Sequence, residues 1–308
     1  MNQRDDTRKI SGWLRMITYL LRHRAIGLFL FIGLLTTVVS SINPAFLSAQ
    51  NLRDIAVQAA PVCIISCGVM LVLVAGEIDI SVGSMMGVLA ASMGIMVSAS
   101  RAQLPPHVAI ALTLLIGIGM GLFNGLLVAY VGVPSIIVTL GMLTTLRGLT
   151  EIIMNGAWIT DLPEEIRFLG TGTILSIPLS LWTTACVLAV TMWLIHRTPI
   201  GRRIYATGSN PQAAQLAGLS IKSIKLFVFA WTGLLTAVAT LVSVPQLSVV
   251  DSGIGVGTEL LVVTCVVVGG VSVNGGVGTL SGVLCGVALM TMISTVLIFL
   301  KLGEHATY

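Results

Sequence analysis

The chain has 308 residues, 56% of them hydrophobic and 9% charged, with a mean hydropathy of +1.01. That composition cannot build a water-facing exterior, which excludes an ordinary soluble globular domain. The formal net charge of +4 does not point to nucleic acid, because the bases mark membrane topology and no aromatic stacking pattern accompanies them.

The first 24 residues carry six bases, Arg4, Arg8, Lys9, Arg15, Arg22 and Arg24, against Asp5 and Asp6. The positive-inside rule makes this end cytoplasmic, with an interfacial helix around "WLRMITYLL". The first apolar run follows a basic segment without a small-residue cleavage pattern, so it reads as a retained span and not a signal peptide. Apolar windows then fall at 25–41, 57–75, 80–99, 109–131, 134–155, 173–195, 226–250, 259–273 and 278–300. Each is long or continuous enough for a helix, and the Val-rich 259–273 window is short enough to predict a broken or tilted one. The predicted fold class is therefore an all-α, polytopic membrane protein with about nine spans.

Six crossings from a cytoplasmic N-terminus return the chain inside at residue 196. There the 196–225 segment supplies Arg197, Arg202, Arg203, Lys222 and Lys225 with no acid, while the opposite loop 156–172 holds Asp161, Glu164 and Glu165 against Arg167. Three further windows would leave Tyr308 outside, which implies an odd helix count or a missing last span.

Small residues recur at four-residue spacing in Gly83/Gly87, Gly117/Gly121/Gly125 and Gly278/Gly282/Gly286. Such faces let membrane helices approach closely, and no strand or ribose-binding acid accompanies them to suggest a cofactor. "SVGSMMGVLA" from Ser81 and "GVGTLSGVLC" from Gly276 also echo one another at a constant offset, as internal repeats do in transporters.

The stretch "LVLVAGEIDISVGSMMGVLA" places two carboxylates, Glu77 and Asp79, between long apolar runs with no neighbouring Lys or Arg. Three readings are open. "GEIDIS" could be a linker at the membrane boundary, with Glu77 and Asp79 in water and Asp79 or Ser81 capping the next helix. It could shape a transport cavity or its gate, or it could form an ion site. Asn124, Ser135 and Thr139 add polar groups within apolar windows, and Pro134 suits the first turn of a new helix. "GGVSVNGGVG", from Gly269 to Gly278, predicts a flexible break presenting Ser272 and Asn274.

In "GSNPQAAQLAGLS", Asn210 and Pro211 mark a cap or turn, "AAQLAG" a short helix and Gly218 its stop. Five cysteines lie within apolar windows as small core hydrophobes, and four scattered histidines form no metal-ligand pattern. No phosphate loop, zinc-protease motif or nucleophile elbow is present, so the chain is expected to be no enzyme, to hold no cofactor or metal, and to take any ATP-derived energy from another chain.

Across nearly its whole length the sequence resembles the permease subunits of bacterial ABC importers for monosaccharides, the ribose, xylose, arabinose, rhamnose and autoinducer-2 group. The resemblance rests on "AGEIDISVGS", "GLFNG" at 121–125, "VPSIIVTLGM" at 133–142, "GRRIYATGSNPQAAQLAGLSI" at 201–221 and "VVVGGVSVNGGVGTLSGVLCG" at 266–286. It implies a permease dimer fed by a periplasmic sugar-binding protein and driven by cytoplasmic ATPase subunits. It implies coupling to the ATPase through Gly208, Asn210, Pro211, Ala213, Ala214 and Gly218. Asp79, Ser81, Asn124, Ser135, Thr139 and Asn274 are then candidates for the pathway or gate, and Gly83, Gly87, Gly121, Gly125, Gly278 and Gly282 for helix packing. Glu77 stands where the family often has a small residue, so it carries less functional weight than Asp79. The organisation expected is a cytoplasmic or interfacial segment 1–24 and a permease domain 25–308 in the bacterial inner membrane. Family members have about ten helices with both ends cytoplasmic, so a C-terminal truncation is expected here. "GEIDISVGS" and "KLGEHATY" look most like rhamnose permeases. An ion- or proton-coupled carrier using Glu77 and Asp79 is the alternative.

Overall fold

The computed structural model of the chain describes residues 24–299. The expected interfacial helix around "WLRMITYLL" and the final "KLGEHATY" lie outside those residues. Twelve α-helices are described: α1 Arg24–Ile42, α2 Ala49–Val74, α3 Val82–Val97, α4 Pro106–Leu126, α5 Ser135–Met154, α6 Glu164–Thr171, α7 Leu179–Arg197, α8 Pro199–Ser209, α9 Pro211–Leu216, α10 Ile221–Ser243, α11 Thr258–Val268 and α12 Leu280–Phe299. A two-stranded hairpin, β1 Thr173–Ile174 and β2 Ile177–Pro178, separates α6 from α7.

Six of these, α2, α4, α5, α7, α10 and α12, are long and apolar enough to cross a membrane. Helix α3, helix α11 and the Gly27–Ile42 part of α1 are apolar but shorter. Thus each expected apolar window contains a helix, but the 226–250 window breaks at Ser243 and the 173–195 window opens with the hairpin. Of the 259–273 window only 259–268 is helical, within the eleven-residue α11. Pro245 and a run rich in glycine, "DSGIGVG" from Asp251, interrupt the backbone hydrogen bonding that a continuous helix would need.

Local signals explain the helix ends. Ser48 caps α2 by accepting the Asn51 N–H, Thr198 caps α8 through the Gly201 N–H, and Asn210 caps α9 through the Ala213 N–H at 2.9 Å. Pro134 stands immediately before α5, at its cap and not in its first turn. Helix α4 ends in a wider π turn, Leu127–Val131, before Gly132.

Helices α2, α3 and α10 form the centre. Helix α3 is buried around nearly its whole circumference, as expected of an interior helix that is apolar on every side. Helix α10 packs along α4, where glycines replace side chains: a methyl on Gly117 would lie 2.6 Å from the Gly233 carbonyl oxygen, and one on Gly125 3.1 Å from the Leu226 Cα. Gly121 faces the Phe229 carbonyl in the same way. Between α10 and α11 the chain turns inward. Val250 exchanges both backbone hydrogen bonds with Ile159, at 2.9 and 3.0 Å, and the following residues run along α3 past Gly87 to Gly83.

Basic residues Arg197, Arg202, Arg203, Lys222 and Lys225 stand at one end of α7 and α10, and Asp161, Glu164 and Glu165 precede the other end of α7. We call these the basic and acidic ends. At the acidic end, Asp161 ties two loops together. Its carboxylate accepts the Ser100 N–H and the Ser98 and Ser100 hydroxyls, each at 2.9 Å, and those donors hold its carboxyl below the usual aspartate range.

Candidate functional site

The segment 75–81 joins α2 to α3 without leaving the protein interior. Helix α2 stops at Ala75, and Gly76 takes a left-handed φ of +84° that reverses the chain at low steric cost. Glu77, Asp79 and Ser81 are all buried, and Asp79 and Ser81 are fully so. The reading of "GEIDIS" as a water-exposed linker is therefore corrected: the non-helical segment between α2 and α3 is packed inside the bundle.

The base missing from the local sequence comes from α10. Lys225 Nζ lies 2.5 Å from Glu77 Oε1, with the lysine side chain 26% exposed and the glutamate 11%. Asp79 bends the chain into α3: its Oδ1 accepts the Ser81 N–H at 2.9 Å and the Ser81 hydroxyl at 2.6 Å. Asn124 Nδ2 of α4 donates to Ser81 Oγ at 3.0 Å. On the other side, Ser135 Oγ of α5 accepts the Ile78 N–H at 3.1 Å, and Thr139 Oγ1 donates to the Ser135 carbonyl at 2.9 Å and sits 3.3 Å from that of Ile78.

Five residues from three parts of the chain, Asp79, Ser81, Asn124, Ser135 and Thr139, thus meet in one seam near the basic end. Asn274 does not join it. It is exposed in the 269–279 loop, where a turn held by Ser272 Oγ directs its backbone N–H, because the glycines around it put the backbone and not the side chain against the bundle. Asp79 Oδ2 and Asn124 Oδ1 are buried without a hydrogen-bond partner among the described residues.

Two charged residues escaped the sequence reading. Glu259, in the first turn of α11, is buried; its Oε1 accepts the Gly257 N–H at 3.2 Å, while Oε2 rests on the bare face of Gly83 with no partner. Arg147 of α5 reaches across Gly87 and donates to the Ile254 carbonyl at 3.0 Å. Gly83 and Gly87 therefore do more than bring helices together: they leave room for the inward segment and its two charges. The available signals were a lone Arg inside an apolar window and an acid two residues after "GIGVG".

The 196–225 segment folds as α8 and α9, of which only a short helix at α9 was expected. Asn210, Pro211, Ala213 and Gly218 are exposed, and Leu216 beside them is 91% exposed. Gly208 and Ala214 are buried and offer no surface, which corrects their placement on one. Gly208 is pressed between the Val74 carbonyl and the Gly276 N–H, which themselves hydrogen-bond at 2.9 Å, and a methyl there would lie 2.7 Å from Gly276 N. The end of α8, the end of α2 and the 269–279 loop therefore meet at backbone contact. Gly278 precedes α12 in that loop, and Gly282 within α12 packs on Gly269. Both copies of the internal echo thus begin where a broken segment enters a helix.

Comparison with known proteins agrees with this architecture. Residues 51–304 match the family model described as "Branched-chain amino acid transport system / permease component". The chain is 37% identical to the "Ribose import permease protein RbsC" of Haemophilus influenzae, over 90% of this chain and 86% of that protein. It is 33% identical to the "Autoinducer 2 import system permease protein LsrC" of Escherichia coli K12, over 93% of this chain and 83% of that protein. The protein of the same name from Yersinia pseudotuberculosis is 33% identical over 93% of this chain and 81% of its own length. No solved structure matches. With its buried broken helices and a family match over most of its length, the chain belongs to the permease components of bacterial ABC import systems, which are transport subunits and not catalysts.

Proposed function

We propose that this chain is the membrane-spanning permease subunit of an ABC-type sugar importer. The observation that carries the reading is the 37% identity to a ribose import permease across 90% of the chain. In this reading the basic end is cytoplasmic, as is the N-terminus, and the nine apolar helices cross or enter the inner membrane. Cytoplasmic ATPase subunits bind the exposed part of α8–α9, with Asn210, Pro211, Ala213, Leu216 and Gly218 at the contact. A periplasmic sugar-binding protein delivers to the acidic end, and a second permease subunit completes the pathway.

The chain itself does no covalent chemistry, and its task is to alternate access. The Asp79 seam acts as the inner gate, because its hydrogen bonds bind α4 and α5 to the bend between α2 and α3 near the basic end. Asp79 Oδ2 and Asn124 Oδ1 are free acceptors, suited to a hydroxyl-rich solute once the gate parts. Gly208 lets movement of α8 reach this bend through backbone contact. A weak internal site suffices, since transport depends on the difference in exposure between two states.

The ion-coupled alternative, with Glu77 and Asp79 as its coupling site, lacks support: Lys225 already neutralises Glu77, and the relatives are permeases of import systems. "GEIDISVGS" and the final "KLGEHATY" favour rhamnose within the sugar class. The test is reconstitution with candidate ATPase and binding proteins, measuring ATP hydrolysis with ribose, xylose, arabinose, rhamnose and autoinducer 2. Stimulation by one sugar is expected. Uptake that persists without the ATPase but stops when the membrane gradient is dissipated would establish the ion-coupled carrier instead.

A further inference from the structure

At the basic end, a cavity of about 460 Å³ opens between the π turn of α4 and the start of α10, lined by Val128, Ala129, Leu219, Ser220, Lys222 and Lys225 among others. Half of this lining is aliphatic and half is polar or cationic. Lys222 is exposed and its ammonium lies 5.4 Å from the centre of the Tyr130 ring, a cation–π contact. Tyr130 ends a stripe of outward apolar residues on α4, Leu112, Leu115, Phe123, Leu126 and Tyr130, spaced three, eight, three and four residues apart. That stripe follows one helical face and has no partner among the described residues. A lysine above a tyrosine at the end of such a face sits at headgroup depth. The cavity therefore adjoins the end of the apolar stripe that acyl chains would cover.

We infer that this cavity binds the headgroup of an anionic phospholipid, its phosphate held between Lys222 and Lys225 and its acyl chains lying along the apolar stripe of α4. Lysine ammonium groups at membrane interfaces attract anionic headgroups, and a zwitterionic headgroup gains much less from the same pair. The site has a second consequence, because Lys225 is also the counter-charge of buried Glu77. A phosphate competes with Glu77 for that lysine and loosens the tie between α10 and the bend that carries Asp79. The lipid then acts on the proposed inner gate, and this regulatory step rests on the permease reading. Binding itself does not.

The test uses the purified full chain in detergent, with native mass spectrometry and titration by phosphatidylglycerol or phosphatidylcholine of matched acyl chains. Phosphatidylglycerol should be retained about 25-fold more strongly than phosphatidylcholine, on the scale of two interfacial lysines at about fivefold each. Lys222→Gln should weaken that retention about fivefold and Lys222→Arg should preserve it. Lys222 is exposed, so neither change threatens folding. The double variant Glu77→Gln/Lys225→Gln removes the second lysine without stranding a buried carboxylate, and should also lose selectivity. Equal retention of the two lipids would overturn the proposal, as would unaltered retention in Lys222→Gln. Displacement by inorganic phosphate as effective as by lipid would overturn the lipid assignment. In the assembled transporter, a Lys222→Cys variant that cross-links to the ATPase while excluding phosphatidylglycerol would overturn the lipid assignment in favour of a protein partner. Because this readout needs neither sugar nor ATP hydrolysis, it can fail while the transport reading stands, and the converse holds too.

Discussion

Gly208→Ala is the sharpest test of how the cytoplasmic helices are joined to the gate. The added methyl would fall inside contact distance of the Val74 carbonyl oxygen and 2.7 Å from Gly276 N, both of them backbone atoms on other elements. Neither can rotate away as a side chain could. To restore ordinary contact the end of α8 must withdraw by about 1.5 Å, which strains or breaks the 2.9 Å hydrogen bond from Gly276 to Val74. Overpacking of this kind costs about 1–3 kcal/mol, and the rigid surroundings place this case towards the upper end. Gly156→Ala is the matched control. It forces a β-carbon onto a φ of +68°, but nothing lies within 4 Å, so its cost of about 1 kcal/mol comes from backbone strain alone and stays local. Both variants should be reconstituted with the ATPase and binding protein, and sugar uptake and ATP hydrolysis measured together with the melting temperature. Gly208→Ala should lower uptake per ATP at least fivefold, with Gly156→Ala much closer to wild type. Wild-type uptake and melting in Gly208→Ala would refute the backbone link between α8 and the bend.

Lys225→Gln should destabilise the protein by about 1–3 kcal/mol, less than a fully buried broken pair because the lysine is 26% exposed; Glu77→Gln/Lys225→Gln should recover most of that, and strict additivity in melting experiments would rule out the ion pair. Gly121→Ala, against the Phe229 carbonyl, should destabilise by about 1–3 kcal/mol, while Gly119→Ala, with open space around it, should be neutral or stabilising by up to about 1 kcal/mol; equal unfolding behaviour of the two would deny the close α4–α10 approach. The Asp161 carboxyl titrates lower when folded, so its stabilising effect is complete above its unfolded pKa of about 4 and is lost as pH falls through the folded value. Asp161→Asn should therefore flatten the acid limb of the melting profile below about pH 4, and an unchanged limb would show that Asp161 is not the group responsible.

Much of this molecule was legible in one dimension. Apolar length and the absence of charge locate its helices, because a bilayer tolerates few other backbone solutions. The short 259–273 window, the glycine spacings of α4 and the cap at Asn210 were equally readable, since each depends on residues within a turn or two of one another. The polar candidates Asp79, Ser81, Asn124, Ser135 and Thr139 could be named, but their convergence could not. Glu77 seemed unpaired because its partner Lys225 is 148 positions away in the chain. The roles of Arg147 and Glu259 depend on two bare glycine faces of α3, which only packing brings beside them. Gly208 reads as part of a surface motif, and its burial follows from contact with two distant backbones. Composition and periodicity are set by each residue's own transfer energy between water and lipid, so sequence alone determined the class and the stretches of chain in which apolar helices fall. Pairing, burial and close approach depend on which distant segments share a volume, and that was decided only by the tertiary structure.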